Sequence, residues 1–155
     1  MSRASEPDLV IDTDGACSGN QFARNIGGWG AVMRKNGRVE EICGGARNTT
    51  NQRMEVTACI RALETWGQGG DKVELRSDSA YLINCMNQRW YLRWQRNGWL
   101  NARRQPVENR DLWERLLELL ETIDVRFVKV QGHSGDVWNE RADALARRGM
   151  AASGG

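Results

Sequence analysis

The sequence has no apolar run approaching the length of a bilayer span and opens with no signal-peptide pattern. A soluble, cytoplasmic, non-secreted chain without membrane contact is therefore expected. Histidine occurs once, at His133, and none of the four cysteines, Cys17, Cys43, Cys59 and Cys85, forms a CxxC pair. A zinc site lacks its usual ligands in such a sequence. Cys59 falls on an apolar helical stripe, which favours buried free thiols in a reducing compartment, while pairing stays open. There is no internal repeat, no low-complexity linker and no second domain. The 155 residues suit one folded unit over 8–150, with 1–7 and 151–155 as flexible ends. Nothing points to obligate oligomerisation, so a monomer is expected. A formal net charge of +2 is too small to identify a partner. Its distribution says more. Acidic residues are missing between Ser79 and Val107, where five arginines stand, and six acidic residues then follow from Glu108 to Asp124. A local basic block of this kind hints at nucleic acid.

What is present reads as a mixed sheet with helices packed on it. Asp8 to Asp14 reads as a strand, and "GGWGAVMRK" and "RVEEICGG" as two more. Asn36-Gly37 between the last two is a strong hairpin signal, so the three strands should form an antiparallel meander. A helix follows from about Thr50 to Trp66, with Met54, Ala58, Ala62 and Trp66 forming an apolar stripe beside Cys59 and Leu63. Thr49 followed by Gln52 fits a capping box, and "GQGG" ends the helix. "KVELRSD" is a fourth strand and "SAYLINCMN" a short helix. Residues 89–105 are basic, aromatic and partly helical, with a break near Asn97-Gly98. "DLWERLLELLETI" is amphipathic, with Leu112, Leu116, Leu120 and Ile123 on one face, and "VRFVKV" is a fifth strand. After the loop "QGHSGD", Asp136 is a fair N-cap for a last helix through about Arg148, with "ASGG" as a tail.

Four carboxylates stand where chemistry is possible. Residues two apart in a strand share a face, so Val10, Asp12 and Asp14 point one way and Leu9, Ile11 and Thr13 the other. A carboxylate on a packed face must be paired, protonated or metal-bound. For Asp14 taken alone, a turn or helix-cap role competes with that reading. Glu55 lies beside the apolar stripe near the start of its helix, Asp78 ends the fourth strand, and Asp143 sits between Ala142 and Ala146 at the edge of an apolar face. Each alone reads as a solvated charge or a cap before it reads as a ligand, and spacing does not bring the four together.

Five ordered blocks do more. "DTDGACSGN", "TTNQRMEVTACIRALE", "RSDSAYLIN", "GWLNARRQPVENRDLWERL" and "VQGHSGDVWNERADALA" closely resemble the successive blocks of type 1 ribonuclease H, the bacterial ribonuclease HI group, over about Leu9 to Gly149. The resemblance implies an α/β fold with a five-stranded mixed sheet and helices on both faces. It implies endonucleolytic cleavage of the RNA strand of an RNA–DNA hybrid, leaving a 5′-phosphate. Matched motif by motif, it implies a catalytic metal-binding set of Asp14, Glu55, Asp78 and Asp143, with His133 from "QGHSG".

Phosphodiester hydrolysis explains the demand for carboxylates. Two Mg2+ ions about 4 Å apart activate water and stabilise the charge that develops on phosphate and leaving oxygens. Mg2+, with Mn2+ as a possible substitute, prefers such hard oxygen ligands. His133 alone reads as a surface loop residue; the resemblance implies a mobile proton carrier. The resemblance also places Cys17, Asn20 and Asn51 at the minor groove, where 2′-hydroxyls are sensed, and Thr50 at a DNA phosphate. Turn and cap chemistry is the competing reading for these residue types. Three departures stand out: "GNQFARNIGGWG", with Phe22 and Arg24, replaces a Gly/Pro-rich loop; Ala80 replaces a polar residue; Asp12 replaces an aromatic or aliphatic one. Asp12 is expected either to pair with an arginine or to repel Asp14 and raise its pKa.

In residues 88–104, Trp90 and Trp94 share a helical face, and Arg89, Arg93 and Arg96 recur on the adjoining surface. Core packing competes with substrate contact for the tryptophans. The resemblance makes this segment a basic protrusion that grips the DNA strand, through Arg89, Trp90, Arg93, Trp94, Arg96, Arg103 and Arg104. A hybrid-binding module without catalysis, or another nuclease of the same fold, are the alternatives.

Overall fold

The fold is taken from a computed structural model that describes residues 6–18 and 25–154. Strands β1 (Leu9–Ser18), β2 (Ile26–Lys35) and β3 (Arg38–Arg47) form the expected antiparallel meander. Asn36 and Gly37 both take positive φ, 50° and 79°, as a two-residue turn matched to strand twist requires. Helix α1 (Asn51–Trp66) then crosses to β4 (Lys72–Ser77), which pairs parallel with β1. Helices α2 (Ala80–Asn87), α3 (Trp90–Asn97) and α4 (Arg110–Leu120) precede β5 (Asp124–Lys129), which is parallel to β4, and α5 (Val137–Gly154) ends the fold. The strand order is β3-β2-β1-β4-β5, a five-stranded mixed sheet. No helix is long and apolar enough to cross a membrane.

The two faces of the sheet carry different loads. Leu9, Ile11, Met33, Val73 and Leu75 join Val56, Cys59, Ile60 and Leu63 of α1 and Trp113 and Leu116 of α4 in the main core. On the other face Val32 meets Ala142 and Leu145 of α5. That helix lies directly on strand backbone. A Cβ added to Gly28 would stand 2.0 Å from the Ala146 carbonyl oxygen and 2.3 Å from the Met150 nitrogen. Gly28 and Gly30 are paired across the ladder with Ala16 and Asp14. Cross-strand partners share a face, so Asp14 and Asp12 project toward α5.

Several expected boundaries move, each for a local reason. β1 continues past Asp14 to Ser18 because Gly15 to Ser18 pair with Ile26 to Trp29. The cap of α1 is Thr50, whose hydroxyl accepts from the Arg53 N–H at 3.0 Å, and not Thr49. Thr49 is buried and held earlier: its N–H donates to Asn25 Oδ1 at 3.0 Å and its carbonyl accepts from Asn25 Nδ2 at 2.7 Å. In α4 the buried residues are Trp113 and Leu116, while Leu112 and Leu120 are only half-buried. The largest side chain takes the core, with its indole N–H donating to the Tyr81 hydroxyl at 3.3 Å. α5 runs to Gly154 instead of stopping near Arg148, because Arg47 Nε donates to the Ser153 carbonyl at 3.2 Å and Ser153 packs on Gly45. All four cysteines are free; Cys59 and Cys85 are buried, but Cys43 is exposed on edge strand β3 and Cys17 is half-buried.

Close approach of α5 to Gly28 makes that site intolerant of even one methyl group. Gly28→Ala should overpack the interface and lower stability by about 1–3 kcal/mol. A urea midpoint equal to that of the unaltered chain would show that α5 shifts without cost.

Candidate active site

β1 and β4 run parallel, and the last pair of their ladder is Thr13 with Ser77. The next residue along each segment is an aspartate, Asp14 still within β1 and Asp78 just past the end of β4, so the ladder itself brings the two together where it ends. Glu55 is added by the first turns of α1, buried together with Met54 and Val56. Carboxylate oxygens of Asp14, Glu55 and Asp78 lie within 4.8 Å of one another, the group of metal-ligating type found among the described residues.

Compensation inside this cluster is sparse. The Gly15 N–H donates at 2.9 Å both to Asp14 Oδ1 and to Glu55 Oε1, so one donor serves two carboxylates. Glu55 Oε2 is buried without a hydrogen-bond partner. Asp14 and Glu55 are 6% and 4% exposed, too little for water to screen them well. Burial, then the charges of Glu55 and Asp78, push the Asp14 carboxyl up to about 9. Burial likewise raises Glu55 to about 7, against the lowering effect of its hydrogen bond with Asp14. The cluster thus favours holding protons that a cation would displace. Its donors are all hard oxygens, and an orphaned buried oxygen points into it. This set fits a divalent cation of the Mg2+ or Mn2+ kind and does not fit one that selects thiolate or imidazole.

Asp143 stands outside that group of three. It is half-buried on α5 beside Ala142, and its Oδ2 forms an ion pair with Arg147 Nη2 at 3.2 Å. His133 is exposed on the loop that follows β5, in a left-handed conformation with φ 56°. Its neighbour Gly132 touches the cluster: a Cβ there would stand 2.6 Å from Asp78 Oδ2. The expectation for Asp12 resolves to pairing. It is 1% exposed, and it accepts from Arg34 Nη2 at 3.1 Å while Arg76 Nη1 lies 3.4 Å away. Burial still raises its carboxyl above the ordinary value, with Arg76 and then Arg34 opposing that rise.

Cys17 lies near the end of β1 with its Sγ 3.7 Å from the Thr49 carbonyl, and Thr50 and Asn51 are exposed at the start of α1. Asn20, Phe22 and Arg24 lie outside the described residues. Ala80 is exposed at the first position of α2. In the basic segment Trp94 sits 6.4 Å from Trp90, 5.8 Å from Trp99 and 6.0 Å from Trp113 between ring centres, which fastens α3 to the core. Trp90 and Trp94 are half-buried, so packing claims most of their surface. Arg89, Arg93, Arg96, Arg103 and Arg104 are exposed, and among the described residues no carboxylate pairs with them. Sequence reading missed Asn25, which holds the segment entering α1, and the ion pair between Arg76 and Asp136. Neither has a signal in spacing, since both are long-range contacts of common surface residue types.

The chain matches the family model described as RNase H over residues 6–151. It is 48% identical over 147 residues to the ribonuclease H of Syntrophomonas wolfei subsp. wolfei, spanning 95% of this chain and 99% of that protein. Identity to the ribonuclease H of Symbiobacterium thermophilum is 50% over 145 residues, 94% of this chain and 96% of that one. Among solved structures it superposes on LC9-RNase H1, described as a type 1 RNase H with the type 2 active-site motif, at a TM-score of 0.83. That match has 27% identity and covers 95% of this chain and 74% of the other.

The raised carboxyls give a pH-dependent stability with a definite sign. A group whose pKa rises on folding binds its proton more tightly when folded, so stability falls as pH climbs from the unfolded value to the folded one. For Asp14 and Glu55 that window runs from about pH 4 to about 9. Thermal melts in metal-free buffer should show the unaltered chain losing stability across it. Asp14→Asn should melt higher near neutral pH, with a flatter slope. Adding Mg2+ should raise the melting temperature of the unaltered chain more than that of the variant. Identical pH slopes for the two proteins would remove the protonated cluster from the account.

Proposed function

The chain belongs to the ribonuclease H family, and from that premise we propose that it is an endonuclease that hydrolyses the RNA strand of RNA–DNA hybrids, leaving a 5′-phosphate. The observation that carries this reading is the group formed by Asp14, Glu55 and Asp78, with oxygens within 4.8 Å and one backbone donor shared between two of them. Two divalent cations, Mg2+ by preference, would be held by these three residues and Asp143, and would supply water activation and charge stabilisation for phosphodiester cleavage. The residues themselves do the rest. Glu55 Oε2 is buried with no hydrogen-bond partner among the described residues, which leaves it free to take a ligand. Asp14 lies within β1 and Asp78 directly follows the last residue of β4, so the backbone ladder between the two strands holds their separation. His133, on the loop whose Gly132 rests against Asp78, would move a proton to or from the attacking water or the leaving oxygen.

Substrate contacts follow the same reading. Thr50 and Asn51 present a hydroxyl and an amide at the exposed start of α1, with Cys17 close by. Together with Asn20 they would contact the minor groove and one DNA phosphate. Arg89, Arg93, Arg96, Arg103 and Arg104 would meet backbone phosphates, and Trp90 and Trp94 would form the platform that carries them. Arginines without carboxylate partners keep their charge available for that role.

Cleavage should be seen with an RNA–DNA hybrid plus Mg2+, and not with duplex RNA, duplex DNA, or the hybrid in excess chelator. Asp14→Asn and Asp78→Asn should each abolish it, because charge is lost with little change of shape. Binding of hybrid without cleavage by the unaltered chain would favour a non-catalytic module.

Replacing the five arginines by alanine should raise KM and flatten the dependence of binding on salt, while kcat at saturation changes little. An unchanged salt slope would reduce the basic block to a solvated surface.

A further inference from the structure

A charged chain separate from the metal-binding cluster runs along the same face of the sheet. Asp12 on β1 is paired in the parallel ladder with Arg76 on β4 and, across the antiparallel one, with Val32, two residues from Arg34. All these side chains face α5. Arg76 places Nη1 3.4 Å from Asp12 Oδ2 and pairs through Nη2 with Asp136 Oδ2. The other oxygen of Asp136 caps α5, accepting from the N–H of Trp138 at 3.1 Å and of Asn139 at 3.0 Å. Arg34, bound to the far oxygen of Asp12, lies 4.7 Å over the Trp138 ring. We propose that Arg76, clamped between Asp12 and Asp136, is a positioning residue that fixes the loop carrying His133 against Asp78.

The loop in question spans 131–136, and both of its ends are tied to the two residues that precede Asp78. At its start the Val130 N–H donates to the Ser77 carbonyl at 2.9 Å. At its end Asp136 is held by Arg76. Between them Gly132 presses on Asp78, and the Ser134 hydroxyl donates to the Gln131 carbonyl at 2.7 Å. His133 and Gly135 both adopt positive φ, 56° and 89°. For His133 that conformation is uncommon and needs support from its surroundings. The Arg76 pair supplies a fixed anchor three residues away.

A stabilising role alone accounts poorly for these residues. Removing Asp12 from water is costly, and a buried ionic network is often no more stable than an apolar replacement of the same shape. What such a network adds is a defined geometry, because a guanidinium fork admits two carboxylates only in one arrangement. Here that arrangement joins the strand carrying Asp78 to the loop carrying His133.

The inference rests on the reading of His133 as a proton carrier in hybrid cleavage, and its test has an arm that does not. Asp136→Asn keeps an oxygen able to cap α5 but loses the charge that holds Arg76. Arg76→Lys keeps the charge but loses the planar fork whose two separate nitrogens meet Asp12 and Asp136. His133 is the only histidine, so its imidazole resonances are unambiguous in the full chain. In both variants, with melts confirming a folded protein, those resonances should shift or broaden relative to the unaltered chain without any substrate present. Hybrid cleavage should show kcat lowered on the order of ten- to a hundredfold, with KM unchanged. In a His133→Ala background the same substitutions should cost nothing further, so that the two effects fail to add. Unaltered imidazole resonances in both variants, or losses that add fully to that of His133→Ala, would overturn the proposal. If the unaltered chain cleaves no hybrid, the functional reading fails, and the resonances still decide whether Arg76 positions the loop.

Discussion

Like charges a few ångströms apart repel, and at a buried position water screens that repulsion only in part. Asp14, Glu55 and Asp78 are held in this condition with one backbone N–H between two of them. The rest of the fold is arranged so that they cannot move apart. Two parallel strands fix the aspartates through a ladder that ends one residue before them. Helix α1 fixes Glu55 through a side packed with Met54, Val56, Ala58 and Cys59, all nearly or fully buried. A site whose carboxylates lie on, or directly beside, strand ends and a helix keeps its geometry when the charges push against it.

Neighbouring carboxylates on the same strand meet opposite fates. Asp12 is as buried as Asp14 but faces two arginines, and Asp136 shares one of them. Counted as ionised groups, Asp12 and Asp136 with Arg34 and Arg76 balance, whereas the three-carboxylate cluster has no such ion pair among the described residues. One set closes on itself and binds nothing further. The other stays electrostatically incomplete, a condition that suits a divalent cation. The two sets are two residues apart along β1, so the strand works at once as a structural tie and as a ligand support.

The basic segment shows the same division between fixing and exposing. Trp94 in contact with Trp90, Trp99 and Trp113 anchors α3 on α4 and the core. The arginines that alternate with these rings point to solvent without carboxylate partners among the described residues. Aromatic packing therefore gives the positive charges a rigid base.

Local rules were enough to read much of this from sequence. Asn36-Gly37 specifies its hairpin because both residues tolerate positive φ, and the stripe of Met54, Ala58 and Ala62 specifies α1 because a helix repeats every 3.6 residues. The ordered motif blocks point to the family and to Asp14, Glu55, Asp78, Asp143 and His133, of which the fold gathers the first three into one cluster while Asp143 pairs with Arg147. Other features needed tertiary structure. Thr49 and Thr50 are equivalent caps by composition, and the side chain of Asn25 decides between them. Trp113, not Leu112, turns inward because of the space left by Tyr81 and Trp94. Asp12 has many arginines to choose from in the sequence, and only the ladder register puts Arg76 beside it and Arg34 on the same face. Sequence determines what acts over a few residues, namely turn conformation, helical and strand periodicity, and motif identity. Which distant side chains meet is decided by strand register and helix docking, because those depend on the fit of the whole core at once.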